Sequence, residues 1–128
     1  MIHLKNLLLE SGLTDSLQIK GLGTVTCKWD TGADTAASAL HAQDIQVRDT
    51  QVTWTYGGRT HRAHVVAYSQ PKHKASRPIV ELRVTWRGKT IMAPFALTDR
   101  STMSTDALCN LDLMRQLGAT VDLKTGLQ

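Results

Sequence analysis

The stretch Trp29-Asp30-Thr31-Gly32-Ala33 is the strongest guide to the fold, because it places an acid at the end of an apolar run. The run from Gly21 to Trp29 predicts a strand that delivers Asp30, after which the Thr31 hydroxyl can brace the turn and Gly32 allows close approach. The alternative is an ordinary turn after a strand. The motif occurs once in the sequence, so a chemistry with two facing carboxylates needs two copies of the chain.

The sequence around this motif resembles the retropepsins, the single-domain aspartic proteases of retroviral type. Their motif often reads Asp-Thr-Gly-Ala-Asp, as residues 30–34 do here. The continuation Ser38-Ala39-Leu40-His41-Ala42 resembles a bacterial branch of that fold, often labelled "ATP-dependent zinc protease" and linked to enzymes that add glutamate tails to ribosomal protein. This chain departs from the branch with Asp34 in a basic position and two additional residues before Ser38.

Two later segments carry the same resemblance in the same order. The bacterial branch is similar to Arg77-Pro78-Ile79-Val80 and to Leu97-Thr98-Asp99-Arg100, and the retroviral C-terminal helix and last strand are similar to residues 112–123. Just before that tail the family has Gly-Arg, where this chain has Asn110-Leu111. We expect Asn110 to adopt the left-handed backbone of the missing glycine.

The resemblance also implies an ion pair that this chain must replace. In the family the missing arginine pairs with the acid after Asp-Thr-Gly-Ala. Asp34 therefore needs another partner, and Arg100 and Arg115 are the candidates.

The resemblance assigns residues to a peptidase site. The implied catalytic group is Asp30, Thr31 and Gly32, and the implied substrate-binding residues are Lys28, Ala33, Asp34, His41, Gly57, Gly58, Arg77 and Arg100. Gly57-Gly58 would be the tip of a flap that closes over substrate, or else a plain surface hairpin. His41 would pack beside the catalytic turn or contact substrate carboxylates.

The chemistry of such a site is peptide hydrolysis by two carboxylates that share one proton. The ionised carboxylate takes a proton from water, and the neutral one donates a hydrogen bond to the peptide carbonyl. We therefore expect a homodimer in which Asp30 faces its symmetry mate, with no metal and no cofactor. The substrate would be a peptide or protein, including acidic or glutamate-rich tails, which Lys28, Arg77 and Arg100 could bind.

Length and composition predict one domain, with residues 1–15 as an N-terminal extension of helix or strand. No apolar run reaches membrane-spanning length and no signal peptide is evident, so we expect a cytoplasmic protein without a membrane partner. Cys27 and Cys109 are expected to be buried free thiols. The net charge is +4, and the basic runs Arg59–Arg62 and Lys72–Lys74 are either solvated loops or a surface for an acidic polypeptide or nucleic acid. We expect no nucleic-acid partner.

Local patterns predict an all-β fold. Hairpins are predicted at residues 17–29, 51–68 and 79–97, followed by a helix at 112–117 and a strand at 119–123. With no βαβ alternation, this order predicts a small closed antiparallel barrel of retropepsin type with one short C-terminal helix.

Two other functions fit the sequence. The first is a retropepsin-fold binding or structural module that no longer cleaves peptide bonds, which the departure of Asn110-Leu111 from the family sequence favours. A metal-dependent hydrolase using His41, His61 and His64 with Cys27 or Asp30 is the other, although His61 and His64 would lie on opposite faces of a strand.

Overall fold

The computed structural model describes residues 13–30, 37–70, 75–119, 121–122 and 126–127. The secondary-structure elements in these ranges are, in chain order, β1 Leu13–Ile19, β2 Gly23–Trp29, β3 Ser38–His41, β4 Gln43–Arg48, β5 Gln51–Tyr56, β6 Arg59–His64, β7 Ala67–Ser69, β8 Arg77–Trp86, β9 Lys89–Thr98, β10 Ala107–Cys109, α1 Leu111–Leu117, β11 Val121–Asp122 and β12 Gly126–Leu127. In these ranges no helix is long and apolar enough to cross a membrane.

Six strands close into a barrel in the order β1-β2-β10-β3-β9-β8. The barrel closes where Gln18 and Ile19 of β1 pair with Thr85 and Val84 of β8. Neighbouring strands are antiparallel except that β10 is parallel to β2 and β3 is parallel to β9. β7 adds an edge strand beside β8. The predicted closed barrel with one short C-terminal helix is therefore confirmed.

Strand alternation fills the barrel interior. On β2 the side chains of Val25, Cys27 and Trp29 are buried, whereas those between them face outward. They belong to one apolar cluster with residues such as Leu40 of β3 and Phe95 of β9. Burying each large apolar side chain contributes roughly 1.5–3 kcal/mol, so this cluster is the main stabilising element of the fold.

A second sheet of three strands, in the order β4-β5-β6, lies against the barrel. Among the described residues it shares no strand pairing with the barrel, and it packs against the barrel through Val52 and Trp54 of β5, which belong to the same core cluster. The turn between β5 and β6 is the predicted Gly57-Gly58 turn, and both glycines have the positive φ angles that such a two-residue turn needs.

Several strands differ from the sequence-based prediction. β3, β4 and β10 were not predicted, because these short strands carry weak local patterns. The return strand of the second hairpin ends at His64, and β7 then pairs with β8 instead of extending that hairpin. β1 begins at Leu13, so the last residues of the expected N-terminal extension belong to the barrel, while residues 1–12 lie outside the described ranges.

Helix α1 begins after Asn110, whose conformation was predicted wrongly. Asn110 has φ −80° and ψ 172°, which is extended and not left-handed. Its side chain accepts a hydrogen bond from the backbone N–H of Leu113 and thereby caps the helix. Gly118 ends the helix with a left-handed backbone.

The C-terminal strand Val121–Asp122 lies within the strand predicted at residues 119–123. It pairs with Gly126–Leu127, a strand that was not predicted.

Replacing Asn110 by Ala should lower the free energy of unfolding by about 2 kcal/mol, because a buried helix cap and its hydrogen bonds are lost together. Urea denaturation measures this change. Ser104→Ala, at an exposed position, is the control and should change stability by less than about 0.5 kcal/mol. Equal effects of the two substitutions would show that Asn110 is not a structural anchor.

Candidate functional site

Asp30 lies directly after β2, where the barrel strands hold its main chain. Its backbone N–H donates to the carbonyl oxygen of Cys109 at 3.0 Å, which ties the end of β2 to β10. The residue is partly exposed. Because Trp29 points into the core, strand alternation directs Asp30 to the outer face of the barrel.

The chain that follows Asp30 is held again where β3 begins. The Ser38 hydroxyl donates to Asn110 Oδ1 at 3.2 Å and accepts the Asn110 backbone N–H at 3.0 Å. Both residues are buried, with exposed fractions of 2% and 4%. Asp30 and Ser38 are thus both held at the end of β10, Asp30 by Cys109 and Ser38 by Asn110. Thr31, Gly32, Ala33 and Asp34 themselves lie outside the described residues, and their roles stay predictions.

The other predicted binding residues from the barrel share the outer face with Asp30. On β2, Lys28 alternates with the buried Cys27 and Trp29, and on β3, His41 follows the buried Leu40. On β8, Arg77 lies on the same side of the strand as Ile79, and the core residue Val80 lies on the other side. Since β2, β10, β3, β9 and β8 are successive neighbours, these side chains lie on one continuous surface.

A polar cluster crosses this face near the other end of β3, and the sequence did not reveal it. The Tyr56 hydroxyl donates to Asp106 Oδ2 at 2.7 Å, and the Asp106 backbone N–H donates to Thr26 Oγ1 at 3.1 Å. The His41 backbone N–H donates to the Asp106 carbonyl oxygen at 2.7 Å. Asp106 precedes Cys109 by three residues, so this cluster lies about 10 Å along the strand from Asp30.

His41 has a specific role within the cluster. Its Nδ1 accepts the Arg100 backbone N–H at 2.8 Å, an arrangement that requires the neutral ring with its proton on Nε2. The Asp99 carboxylate lies 3.7 Å from the same nitrogen. His41 therefore positions the turn that carries Arg100. This role is more specific than the packing beside the Asp30 turn that the resemblance implied. Contact between His41 and substrate stays a prediction.

Arg77 and Arg100 lie close enough to repel each other. Burial lowers the pKa of Arg100, and the positive charge of Arg77 lowers it further, while Asp106 opposes this shift. Arg100 Nε donates to the Thr105 carbonyl oxygen at 3.2 Å. Among the residues that the structure describes, neither arginine forms an ion pair with a carboxylate. Arg100 thus lies near the positive charge of Arg77 and the negative charge of Asp106, of which Arg77 has the larger effect.

Gly57 and Gly58 lie at the tip of the β5–β6 hairpin, in the separate sheet. The adjacent Tyr56 donates a hydrogen bond to Asp106, so this hairpin meets the barrel at the polar cluster. That cluster does not lie at the end of β2, where Asp30 is. Its role as a flap stays a prediction.

The cysteines and histidines have local structural partners. Cys27 and Cys109 are buried and free, as predicted, and a hydrogen bond with Cys27 together with burial raises the pKa of the Cys109 thiol. In the strand register, His61 lies opposite Trp54 and His64 lies opposite Gln51. The two histidines are on opposite faces of β6, as predicted. In the described part of the chain, no three His, Cys, Asp or Glu side chains come together to hold a metal ion.

Several solved structures are similar to this chain, including the following two. Protein Lpg0085 of unknown function (DUF785), from Legionella pneumophila subsp. pneumophila str. Philadelphia 1, is 22% identical with a TM-score of 0.71, over 87% of this chain and 90% of that chain. EIAV protease complexed with the inhibitor HBY-793 is 16% identical with a TM-score of 0.46, over 89% of this chain and 95% of that chain. No family model and no curated protein matches the sequence. The similarity to the Legionella protein establishes a shared fold.

Replacing Tyr56 by Phe should lower the free energy of unfolding by about 1–2 kcal/mol at neutral pH, because the hydrogen bond to a charged carboxylate is lost. Burial, then the hydrogen bond to Asp106 and its negative charge, raise the pKa of Tyr56 well above the usual range. The folded state therefore holds the phenol proton more tightly than the unfolded chain does. This stabilisation is present below about pH 10 and is lost as the pH rises further.

Urea denaturation at pH 8 and pH 11 tests this prediction, with Tyr68→Phe as the control because Tyr68 is exposed on the edge strand β7. The difference between wild type and Tyr56→Phe should shrink at the higher pH. A difference that stays constant would contradict a special role for the Tyr56 proton.

Proposed function

We propose that the protein is a homodimeric aspartic endopeptidase in which Asp30 of each copy contributes one carboxylate. The observation that supports this most is the presentation of Asp30. It follows a buried strand, faces outward, and its chain is anchored at both ends by the Cys109 carbonyl and the Ser38–Asn110 pair. A rigid support of this kind is what a catalytic carboxylate needs to meet a partner group at a defined distance.

The proposed reaction needs no covalent intermediate. One carboxylate of the pair is ionised and takes a proton from a water molecule, which attacks the peptide carbonyl carbon. The other is protonated and donates a hydrogen bond to the carbonyl oxygen as negative charge develops there. The proton that the first carboxylate took from water then passes to the leaving nitrogen as the C–N bond breaks. Thr31 and Gly32 would brace the pair through hydroxyl and backbone hydrogen bonds.

The homodimer follows from this chemistry, because the sequence supplies one Asp-Thr-Gly motif per chain. A twofold axis brings a residue near the axis onto its own copy, so two Asp30 side chains can meet only there. The two free, buried thiols agree with a reducing compartment, which supports a cytoplasmic location.

An acidic substrate is favoured by the two cations on the outer face. Arg77 and Arg100 repel each other, neither forms an ion pair with a carboxylate in the described residues, and the Asp106 charge offsets the repulsion only in part, so an anionic ligand between them would relieve the rest. Lys28 lies on the same face as Asp30 and adds a third positive charge. Acidic or glutamate-rich tails of proteins are the substrates that this arrangement fits best.

Replacing Asp30 by Asn should abolish cleavage of a peptide library, with a loss of at least about a thousandfold, because an amide cannot take the proton from water. Sedimentation should show the same dimer for Asp30→Asn and wild type. Asp49→Asn is the matched control, since Asp49 lies on an exposed turn and Asn tolerates its positive φ.

Each outcome of that experiment separates the candidate functions. Residual activity in Asp30→Asn, or an active protein that sediments only as a monomer, would contradict the proposal. Activity that is lost with a chelator and resists pepstatin would favour a metal-dependent hydrolase. The absence of cleavage by wild type would favour a binding module.

Replacing Arg77 by Gln should reduce kcat/KM for a glutamate-containing peptide about tenfold, because a charge-assisted hydrogen bond to the substrate carboxylate is lost. The glutamine counterpart of that peptide should be cleaved at an unchanged rate. Arg83→Gln, an exposed change elsewhere on β8, should affect neither peptide. Equal losses for both peptides would exclude recognition of a carboxylate by Arg77.

A further inference from the structure

The outer face of the three-stranded sheet is a polar surface that the proposed peptidase site does not use. Val52 and Trp54 of β5 point into the core, so alternation turns Gln51 and Thr53 to the opposite side. The strand register places Arg48 opposite Gln51 on β4, and His64 opposite Gln51 on β6.

The next row of the same face is Gln46, Thr53 and Arg62. Apart from the half-buried Thr53, the side chains of both rows are exposed.

The two arginines of this face flank a groove of about 720 Å³. Arg48 and Arg62 stand on the two edge strands, which are two strand spacings or about 10 Å apart. Gln46, Gln51 and Thr53 supply further hydrogen-bonding groups between them, and Asp49 at the β4–β5 turn is the acidic residue in the lining. Within the described ranges neither arginine forms an ion pair, so both guanidinium groups keep their donors for a ligand.

The groove has the shape and chemistry for an extended chain. Its strands are six residues long and span about 20 Å, the length of a hexapeptide in extended conformation. The aromatic side chains of the sheet, Trp54 and Tyr56, point toward the barrel, so this face offers no Trp, Tyr or Phe on which a nucleic-acid base could stack. Its positive charge and its many amide and hydroxyl groups suit carboxylates joined by a peptide backbone.

We propose that this face is a second binding site, for an extended acidic segment of a partner polypeptide, held between Arg48 and Arg62. The site is independent of Asp30, because it lies on the side of the three-stranded sheet that faces away from the barrel. Partner carboxylates receive hydrogen bonds from the two guanidinium groups, while Gln46 and Gln51 bind the partner's polar backbone.

Fluorescence anisotropy tests the proposal with a labelled octapeptide of alternating Glu and Ser, its Gln–Ser counterpart and an octathymidylate. The protein is the full chain carrying Asp30→Asn and Arg77→Gln, so that no probe is cleaved and the carboxylate site proposed at Arg77 and Arg100 contributes little to binding, whether or not the proposed peptidase function holds. We expect the Glu–Ser peptide to bind at least tenfold more tightly than the Gln–Ser peptide. Reversing both charges, Arg48→Glu with Arg62→Glu, should weaken Glu–Ser binding at least tenfold.

Arg83→Glu on the exposed part of β8 is the matched control and should weaken binding less than threefold. Backbone amide shifts should concentrate in β4, β5 and β6. The proposal is overturned if the peptide does not bind, if Arg83→Glu weakens binding as much as the double variant, if the shifts concentrate around Arg77 and Arg100, or if octathymidylate binds more tightly than the peptide. Circular dichroism confirms that each variant is folded, and Arg48→Gln with Arg62→Gln replaces the double reversal if it is not.

Discussion

Strand β10 lies between β2 and β3, and the position of Asp30 depends on this placement. β2 and β3 are consecutive strands, yet each pairs with β10 and not with the other. At the end of β10 the Cys109 carbonyl holds the backbone of Asp30, and the Asn110 side chain holds Ser38. The main chain at Asp30 is thus tied to a barrel strand, a support that a surface loop does not offer.

The polar cluster around Asp106 shows how the two sheets are joined. The three-stranded sheet has no strand pairing with the barrel, so its position depends on the packing of Trp54 and on the hydrogen bond from Tyr56 to Asp106. A partly buried carboxylate needs such donors, because leaving it unpaired costs more than the hydrogen bond itself gains. His41 extends the cluster to Arg100, which links the orientation of that turn to the same network.

Local signals in the sequence were sufficient for the hairpins and not for the strand that organises the site. Gly57-Gly58 predicted its turn because positive φ angles favour such residues, and the structure has the turn there. β10 is three residues long and has no period of its own, so only its neighbours in the fold define it as a strand. Tyr56 and Asp106 are 50 residues apart, and no sequence pattern joins a phenol to a carboxylate at that separation. Lys28, His41 and Arg77 were chosen by resemblance, and their common face became evident only from the order of the strands.

Asn110 and Leu111 determine how β10 is joined to α1 and how Ser38 is held. A left-handed glycine at this point would leave the first turn of α1 without a side-chain cap. Asn110 instead takes an extended conformation, caps α1 through Leu113 and receives the Ser38 hydroxyl with the same oxygen. One side chain thus satisfies both the first turn of α1 and the start of β3. Leu111 becomes the first residue of the helix, and the main chain at Asp30 is held by a backbone carbonyl that neither change removes.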